Sequence, residues 1–124
     1  MRLIQSGTAA LSLCGAAALS ALAPGLVQAS IPAAQIRALN LARNTAVTDN
    51  GGLSTYRPEP CMFRTGDGGG DCLVNKSHAG YTFSFLGGRP GWPEDGSLPT
   101  TETEIQISAD GRSVDAVIYN GVPR

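Results

Sequence analysis

The chain of 124 residues carries nine Lys and Arg, ten Asp and Glu and a single His, which gives a formal net charge of −1. The charges are interspersed and form no basic run, so nucleic acid and anionic membrane surfaces are poor candidate partners. A chain of this length accommodates one small domain, which is only marginally stable without a cross-link or another support.

The first 29 residues have the features of a secretory signal peptide. Arg2 is the only charged residue before Arg37, and the stretch between them is rich in Ala and Leu. Pro24-Gly25 would break a helix, and Ala29 is a small residue at a position that signal peptidase reads. This pattern predicts cleavage before Ser30.

Two other interpretations of this segment are membrane anchoring and lipidation at Cys14. The apolar run approaches the length of a bilayer span, but its many Ala and Gly residues make it weakly hydrophobic. Leu13 precedes Cys14, where lipidation requires a small residue. We therefore expect residues 1–29 to be removed as a signal peptide. Residues 30–124 then form a single α+β domain, periplasmic or extracellular, with no stable membrane anchor.

Signal cleavage removes Cys14 and leaves Cys61 and Cys72 in an oxidising compartment, where an even pair of cysteines predicts one disulfide. The bond would add about 2–3 kcal/mol to the free energy of unfolding. Two free thiols or half of a metal site are the alternatives. A four-ligand zinc site lacks partners, because His78 is the only histidine. We predict no metal site and no cofactor.

A helix is predicted directly after the cleavage site. Ser30-Ile31-Pro32 favours a helix start, because Ser can cap a helix and Pro is tolerated in the first turn. No further Pro or Gly occurs before Asn50-Gly51-Gly52, where glycine can adopt the left-handed conformation that ends a helix. Small and apolar side chains share one face of this helix of about 18 residues. They are Ile36, Leu39, Ala42, Ala46 and Val47.

The rest of the chain alternates strand patterns with turns. Residues 61–64 and 72–75 predict a hairpin with a solvated glycine tip, closed by the disulfide near its base. Residues 81–85 alternate aromatic with polar side chains and predict a strand. Two further alternating strands flank Asp110-Gly111 and predict a final hairpin. The expected fold class is α+β, with one N-terminal amphipathic helix packed on an antiparallel sheet of three to five strands.

Short motifs spread over residues 30–124 form a pattern. They are Asn40-Leu41-Ala42-Arg43, Asn50-Gly51-Gly52-Leu53-Ser54, Tyr56-Arg57-Pro58, Cys61-Met62-Phe63, Phe85-Leu86-Gly87-Gly88, Pro90-Gly91-Trp92, Thr101-Glu102-Thr103-Glu104 and Tyr119-Asn120-Gly121. Together they resemble a family of small exported cyanobacterial proteins, which implies export and carries over no catalytic or binding residue. The order of a helix followed by a meander is also loosely similar to that of PepSY and cystatin-like modules.

Three groups of residues offer chemistry, and each has a simpler explanation. Glu102 and Glu104 lie on one face of a predicted strand, where they could do acid–base work or form its polar side. Asp67 and Asp71 flank three glycines, but a calcium site needs six or more oxygen ligands. His78 is the only imidazole that could activate a nucleophile, and it lies in a predicted turn. We predict no catalytic residue.

Trp92 is the residue best suited to recognition. Its loop, Arg89-Pro90-Gly91-Trp92-Pro93, is stiffened by prolines. The indole could cap the core or anchor a protein or glycan partner, and Arg89 could serve either role. We predict that Trp92, and no titratable residue, dominates any recognition, and we name Arg89 as a second candidate binding residue.

The expected function is therefore that of a small exported, non-enzymatic binding or structural module. The alternatives are a small extracytoplasmic enzyme that uses the sheet carboxylates, and a metal- or glycan-binding domain that uses the Asp-Gly tip or Trp92.

Overall fold

The structure, a computed structural model, describes residues 30–124. The predicted signal peptide and its cleavage site before Ser30 fall on or next to residues outside this range. One helix precedes a five-stranded antiparallel sheet, and three short 3₁₀ turns lie between the first two strands. The elements are α1 (Ala33–Asp49), β1 (Arg57–Pro58), the turns Pro60–Phe63, Thr65–Asp67 and Gly70–Cys72, β2 (Leu73–Ser77), β3 (Gly80–Gly88), β4 (Thr101–Ile107) and β5 (Val114–Gly121).

Strand β3 is the centre of the sheet. It pairs with β4 along one edge, from Tyr81 to Gly87. Its other edge is shared by β2, which pairs with its first half, and by β1, which pairs with Gly87 and Gly88. Strand β5 pairs with the outer edge of β4. The predicted α+β class, with a helix on an antiparallel sheet and a Cys61–Cys72 disulfide, is confirmed.

Helix α1 lies on the sheet through a face of mostly small side chains. Ala38, Ala42 and Ala46 are buried with Leu39, and their spacing of three or four residues puts them on one side of the helix. Alanine side chains let the helix backbone approach the sheet closely. Ile36 and Val47, predicted to belong to this face, lie at its flank and are only half-buried.

The ends of α1 differ in how they are capped. Among residues 30–124, no side chain caps the first turn, where the carbonyl of Pro32 accepts hydrogen bonds from the amides of Gln35 and Ile36. Ser30 therefore does not fill the predicted capping role. At the other end, Gly51 and Gly52 have positive φ angles, as the sequence predicts for the helix end.

The hydrophobic core lies between α1 and the inner face of β3 and β4. Its largest fully buried side chains include Phe83 from β3, Ile105 and Ile107 from β4, Leu39 from α1 and Met62 from the first 3₁₀ turn. The alternation predicted for the apolar side chains of β3 and β4 holds, because Tyr81, Phe83 and Phe85 of β3 and Ile105 and Ile107 of β4 all belong to this core. Thr82, between two of these residues on β3, is also buried.

The segment around the disulfide does not form the predicted hairpin. Cys61 belongs to a 3₁₀ turn, and only the second cysteine is followed by a strand. Pro58 and Pro60 remove two backbone donors from the first segment, which leaves it without a regular ladder. The Cα atoms of the two cysteines are 5.9 Å apart, and Cys72 is fully buried.

The glycine tip is also packed rather than solvated. A Cβ at Gly69 would lie 3.1 Å from the Phe83 ring and 3.2 Å from Leu39, so the turn sits directly on the core. The buried amide of Gln35 donates to the Gly68 carbonyl at 3.1 Å and accepts from Lys76 Nζ at 3.0 Å. One helical side chain thus joins the glycine turn to β2.

The turn between β4 and β5 also approaches α1 closely, and glycine is required there. Gly111 has a φ of +75°, and a Cβ on it would collide with the Ala34 carbonyl oxygen.

We expect Gly111→Ala to lower the free energy of unfolding by at least about 2 kcal/mol, from backbone strain and overpacking together. Gly96→Ala is the control, since Gly96 has a φ of +80° but no atom within 4 Å of the added Cβ.

Chemical denaturation of the two variants separates strain from contact. Gly96→Ala carries the strain of a positive φ alone and should lose about 1 kcal/mol. Equal losses in the two variants would contradict the close approach of Gly111 to the helix.

Candidate functional site

The structure places the two candidate binding residues, Trp92 and Arg89, in different environments. The Trp92 side chain is only 5% exposed and lies over Gly88 at the end of β3, where an added Cβ would be 2.7 Å from the indole Cγ. Arg89 projects into solvent, with a guanidinium nitrogen 3.8 Å from an Asp95 carboxylate oxygen. Trp92 is therefore packed in this conformation, and its predicted role as a binding anchor stays a prediction.

An open apolar cavity of about 320 Å³ lies beside the Trp92 loop. Leu53, Phe63 and Pro90 line it, together with Gly91 and Arg57. Leu53 and Phe63 are exposed. Nothing in the sequence links Leu53 with Phe63, because they come from separate turns that meet only in the folded chain.

Arginines border this cavity. The Arg57 guanidinium pairs with Glu94 at 2.8 Å, and the Arg43 guanidinium carbon lies 5.1 Å from the centre of the Phe63 ring. Surface ion pairs of this kind contribute at most about 1 kcal/mol, so Arg57 can exchange its partner at little cost.

The sheet carboxylates form an ion-pair cluster. Arg124 lies 2.8 Å from Glu102 and 3.1 Å from Glu104, and its guanidinium also stacks 3.9 Å from the centre of the Tyr119 ring. Hydrogen bonds from the Arg124 side chain and backbone lower the pKa of Glu102. A carboxyl group held in its ionised form is a poor general acid, so this arrangement favours a structural role.

The other predicted polar candidates are dispersed. His78 is exposed in the turn between β2 and β3, and Asp67 and Asp71 are exposed in the turns near the disulfide. The carbonyl of Gly68 between them is already engaged by Gln35. The described residues do not assemble these groups into a shared site.

Glu59 is not among the site residues predicted from the sequence. Its Oε2 lies 3.2 Å from Cys61 Sγ and 3.5 Å from Cys72 Sγ. Burial raises the pKa of this carboxyl, and the negative charge of Asp71 adds to the effect. Only its position between two prolines, two residues before a cysteine, could have drawn attention to it. Glu59, Cys61 and Cys72 thus bring three potential metal-ligand atoms within 4.8 Å of one another. Within residues 30–124, no other group of three or more Asp, Glu, Cys or His residues does so.

Strand β5 exposes apolar side chains at positions that belong to the core layer, which is the layer of side chains between the sheet and α1. Val114 pairs with Ile107, and Val117 pairs with Ile105. Both isoleucines are 0% exposed, whereas Val114 is 36% exposed and Val117 is 44% exposed. Side chains of directly paired residues point to the same face of a sheet, so both valines face the side that carries α1. Helix α1 does not cover them.

The space between α1 and β5 is closed at both ends. Near the start of the helix, the Gly111 turn packs on Ala34. Near its end, the Asn120 amide oxygen accepts hydrogen bonds from Thr103 Oγ1 at 2.7 Å and from the Asn50 amide at 3.1 Å. Val114 and Val117 therefore form an apolar stretch between two fixed ends.

Comparison with known proteins finds no matching family model, no similar curated protein and no similar solved structure. In the part of the chain from residue 30 onward, no helix combines the length and hydropathy that a membrane span requires.

The packed position of Trp92 predicts a structural cost when the indole is removed. We expect Trp92→Ala to lower the free energy of unfolding by about 3 kcal/mol or more, as other large-to-small changes of buried aromatic residues do. Arg89→Ala, which removes an exposed side chain from the same loop, should change it by no more than about 0.5 kcal/mol. Thermal or urea unfolding of both variants measures the difference, and an unchanged midpoint for Trp92→Ala would refute the packing role.

Tyr56 predicts a loss of stability at alkaline pH. Burial against Gly87 raises the pKa of its hydroxyl to about 12, and the negative charge of Glu59 contributes. Because the folded state holds this proton more tightly than the unfolded state, the contribution is complete below about pH 10 and is lost as pH rises toward 12. Unfolding midpoints measured at rising pH should therefore fall less for Tyr56→Phe than for the unchanged chain.

Tyr119→Phe is the matched control for this measurement, because it makes the same chemical change on a half-exposed ring. The prediction fails if Tyr56→Phe loses stability with pH as steeply as the unchanged chain does.

Proposed function

We propose that this protein is an exported, non-enzymatic binding module that receives an extended segment of a partner protein along β5. The observation that carries the proposal is the exposure of Val114 and Val117. They occupy core-layer positions beside two fully buried isoleucines, yet no element of residues 30–124 covers them. A partner side chain placed there would complete the core layer.

The backbone of β5 supports strand addition. The strand has eight residues, contains no proline and carries one charged side chain, Asp115. It pairs with β4 on one edge, and within residues 30–124 its other edge has no strand partner. An edge of this length and composition is a template for another strand, and natural proteins commonly protect such edges with charges, prolines or bulges.

The edge of β5 is not regular, because its pairing with β4 has two register shifts, and a bulge is one means by which proteins limit edge pairing. The shifts lie at Glu104/Ile105 and at Gln106/Ile107, and they leave Asp115 and Ile118 without a direct partner on β4. Bulges of this kind bend a strand and increase its local twist. The partner segment would follow this twist, with apolar residues opposite Val114 and Val117.

The helix side of this surface is also partly open. Arg37, Leu41 and Thr45 are spaced by four residues and therefore lie in one row along α1. Arg37 donates to the Asp110 carbonyl in the turn before β5. A shallow cavity of about 320 Å³ runs along this row between Leu41 and Asp49. The cavity is lined by α1 alone, on the side of the helix from which Arg37 reaches the turn before β5.

Export rests on the predicted signal peptide and is supported by the disulfide, since such bonds persist in oxidising compartments. A non-enzymatic role is supported by the ion pairs of Glu102 and Glu104 with Arg124 and by the dispersal of the other polar candidates. Recognition through backbone pairing and a few apolar side chains needs neither a nucleophile nor a bound metal.

The proposal predicts where peptide ligands bind. Peptides selected from a random library on residues 30–124 should be extended and rich in β-branched residues, and they should protect β5 amides from hydrogen exchange. Val117→Lys places a charge on the surface and should weaken binding at least about tenfold, with an unchanged melting temperature. Val74→Lys is the control, because it makes the same change on an exposed valine of β2.

Equal loss of affinity in the two variants would contradict β5 as the binding edge. Sedimentation of the unliganded protein separates a second possibility. A stable dimer whose β5 amides are protected without any peptide would mean that this edge serves self-association instead.

A further inference from the structure

A carboxylate faces both sulfurs of the Cys61–Cys72 disulfide. Glu59 Oε2 lies 3.2 Å from one sulfur and 3.5 Å from the other, and the Glu59 side chain is partly buried. A disulfide has no S–H proton to donate, so the oxidised bond offers this oxygen no hydrogen bond. A disulfide does not need a carboxylate beside it to cross-link the chain. When the bond is reduced, however, two sulfurs and a carboxylate oxygen are a set of ligands that can coordinate a metal ion.

We propose that Cys61, Cys72 and Glu59 form a binding site for a thiophilic divalent metal ion, of the Zn²⁺ or Cd²⁺ type, when the two cysteines are in the dithiol state. This site is distinct from the β5 surface. In the oxidising compartment of the proposed function it forms only after a reductant has opened the disulfide.

The geometry fits such an ion. Zinc binds cysteine sulfur at about 2.3 Å and carboxylate oxygen at about 2.0–2.2 Å, so a tetrahedral ion spaces its ligands by roughly 3.5–4 Å. The oxygen-to-sulfur distances here are 3.2 and 3.5 Å, and the two Cα atoms are 5.9 Å apart. A Cα separation of 5.9 Å is short enough for two cysteines to hold one ion once the S–S bond is broken, because rotation about their Cα–Cβ bonds moves the sulfurs apart.

The site has an opening through which an ion can enter. A cavity of about 220 Å³ borders the cluster and is lined by Glu59, Pro60, Cys61, Arg64 and Asp71. This space leaves the fourth coordination position to a water molecule or to the carboxylate of Asp71. The positive charge of Arg64 offsets part of the negative charge that two thiolates and a carboxylate would bring together.

The redox step balances with an external dithiol as the reductant. The dithiol transfers two electrons and two protons to the Cys61–Cys72 bond, which gives two protein thiols and leaves the reductant as a disulfide. Metal binding then releases the two thiol protons to solvent as both sulfurs coordinate. Oxidation of the cysteines removes both sulfur ligands, so the site holds metal only in the reduced protein.

Cadmium titration of the reduced protein, under anaerobic conditions, tests the proposal directly. We expect a saturable cadmium–thiolate absorption at one equivalent, and none for the oxidised protein. Bound Cd²⁺ should also raise the melting temperature of the reduced protein, because the folded chain brings the three ligands together. Glu59→Gln should weaken Cd²⁺ binding at least about tenfold. Asp67→Asn, which removes a carboxylate from a neighbouring turn, is the control and should bind as the unchanged chain does.

Each of three results would overturn the proposal. The first is the absence of saturable absorption in the reduced protein. The second is absorption without a rise in melting temperature, which would mean that unfolded chain binds through its thiols. The third is equal affinity of Glu59→Gln and the unchanged protein, which would remove the carboxylate from the ligand set.

Discussion

The alanine face of α1 determines how much of the sheet is covered. Ala38, Ala42 and Ala46 allow the helix to lie close over β3 and β4, where Phe83 and Ile105 become fully buried. A helix that packs so closely on β3 and β4 does not extend far enough sideways to cover β5 as well. The exposed valines of β5 follow directly from this placement, and so does the need for glycine in the turn that passes under the start of the helix.

The elements that the sequence predicted correctly are those with a regular period. The spacing of alanines in α1 and the alternation in β3 and β4 are local signals, and each agrees with the burial that the fold imposes. The Asp110-Gly111 turn likewise joins β4 and β5 as predicted, because its chemistry is fixed within four residues.

The missed features depend on contacts between distant segments. The sequence around Gly68 and Gly69 is typical of a solvated tip, but in the fold this turn packs on Leu39 and Phe83. The sequence does not decide whether Trp92 is buried or exposed, because the indole packs over Gly88, and a glycine has no side chain from which such a contact could be predicted. The approach of Glu59 to both cysteines was equally hidden, since it requires the 3₁₀ turn that replaced the expected strand.

The two proposed sites lie on opposite sides of the central strands. The metal-binding cluster belongs to the segment beside β1 and β2, whereas the peptide-binding edge is β5, with β3 and β4 between them. Neither site shares a side chain with the other. Reduction of the disulfide could therefore change the first site while the sheet that presents the second is held by the core around Phe83 and Ile105.

Gln35 illustrates how one side chain constrains what substitutions a sequence can accept. Its amide donates to the carbonyl of Gly68 and accepts from Lys76 at once, across separations of 33 and 41 residues. Glutamate could accept from the lysine but would set a negative charge against the Gly68 carbonyl oxygen. Leucine would satisfy neither group, and asparagine is one methylene shorter. In the course of evolution, chains that keep this glycine turn should therefore keep glutamine at this helix position, or change the helix, the turn and β2 together.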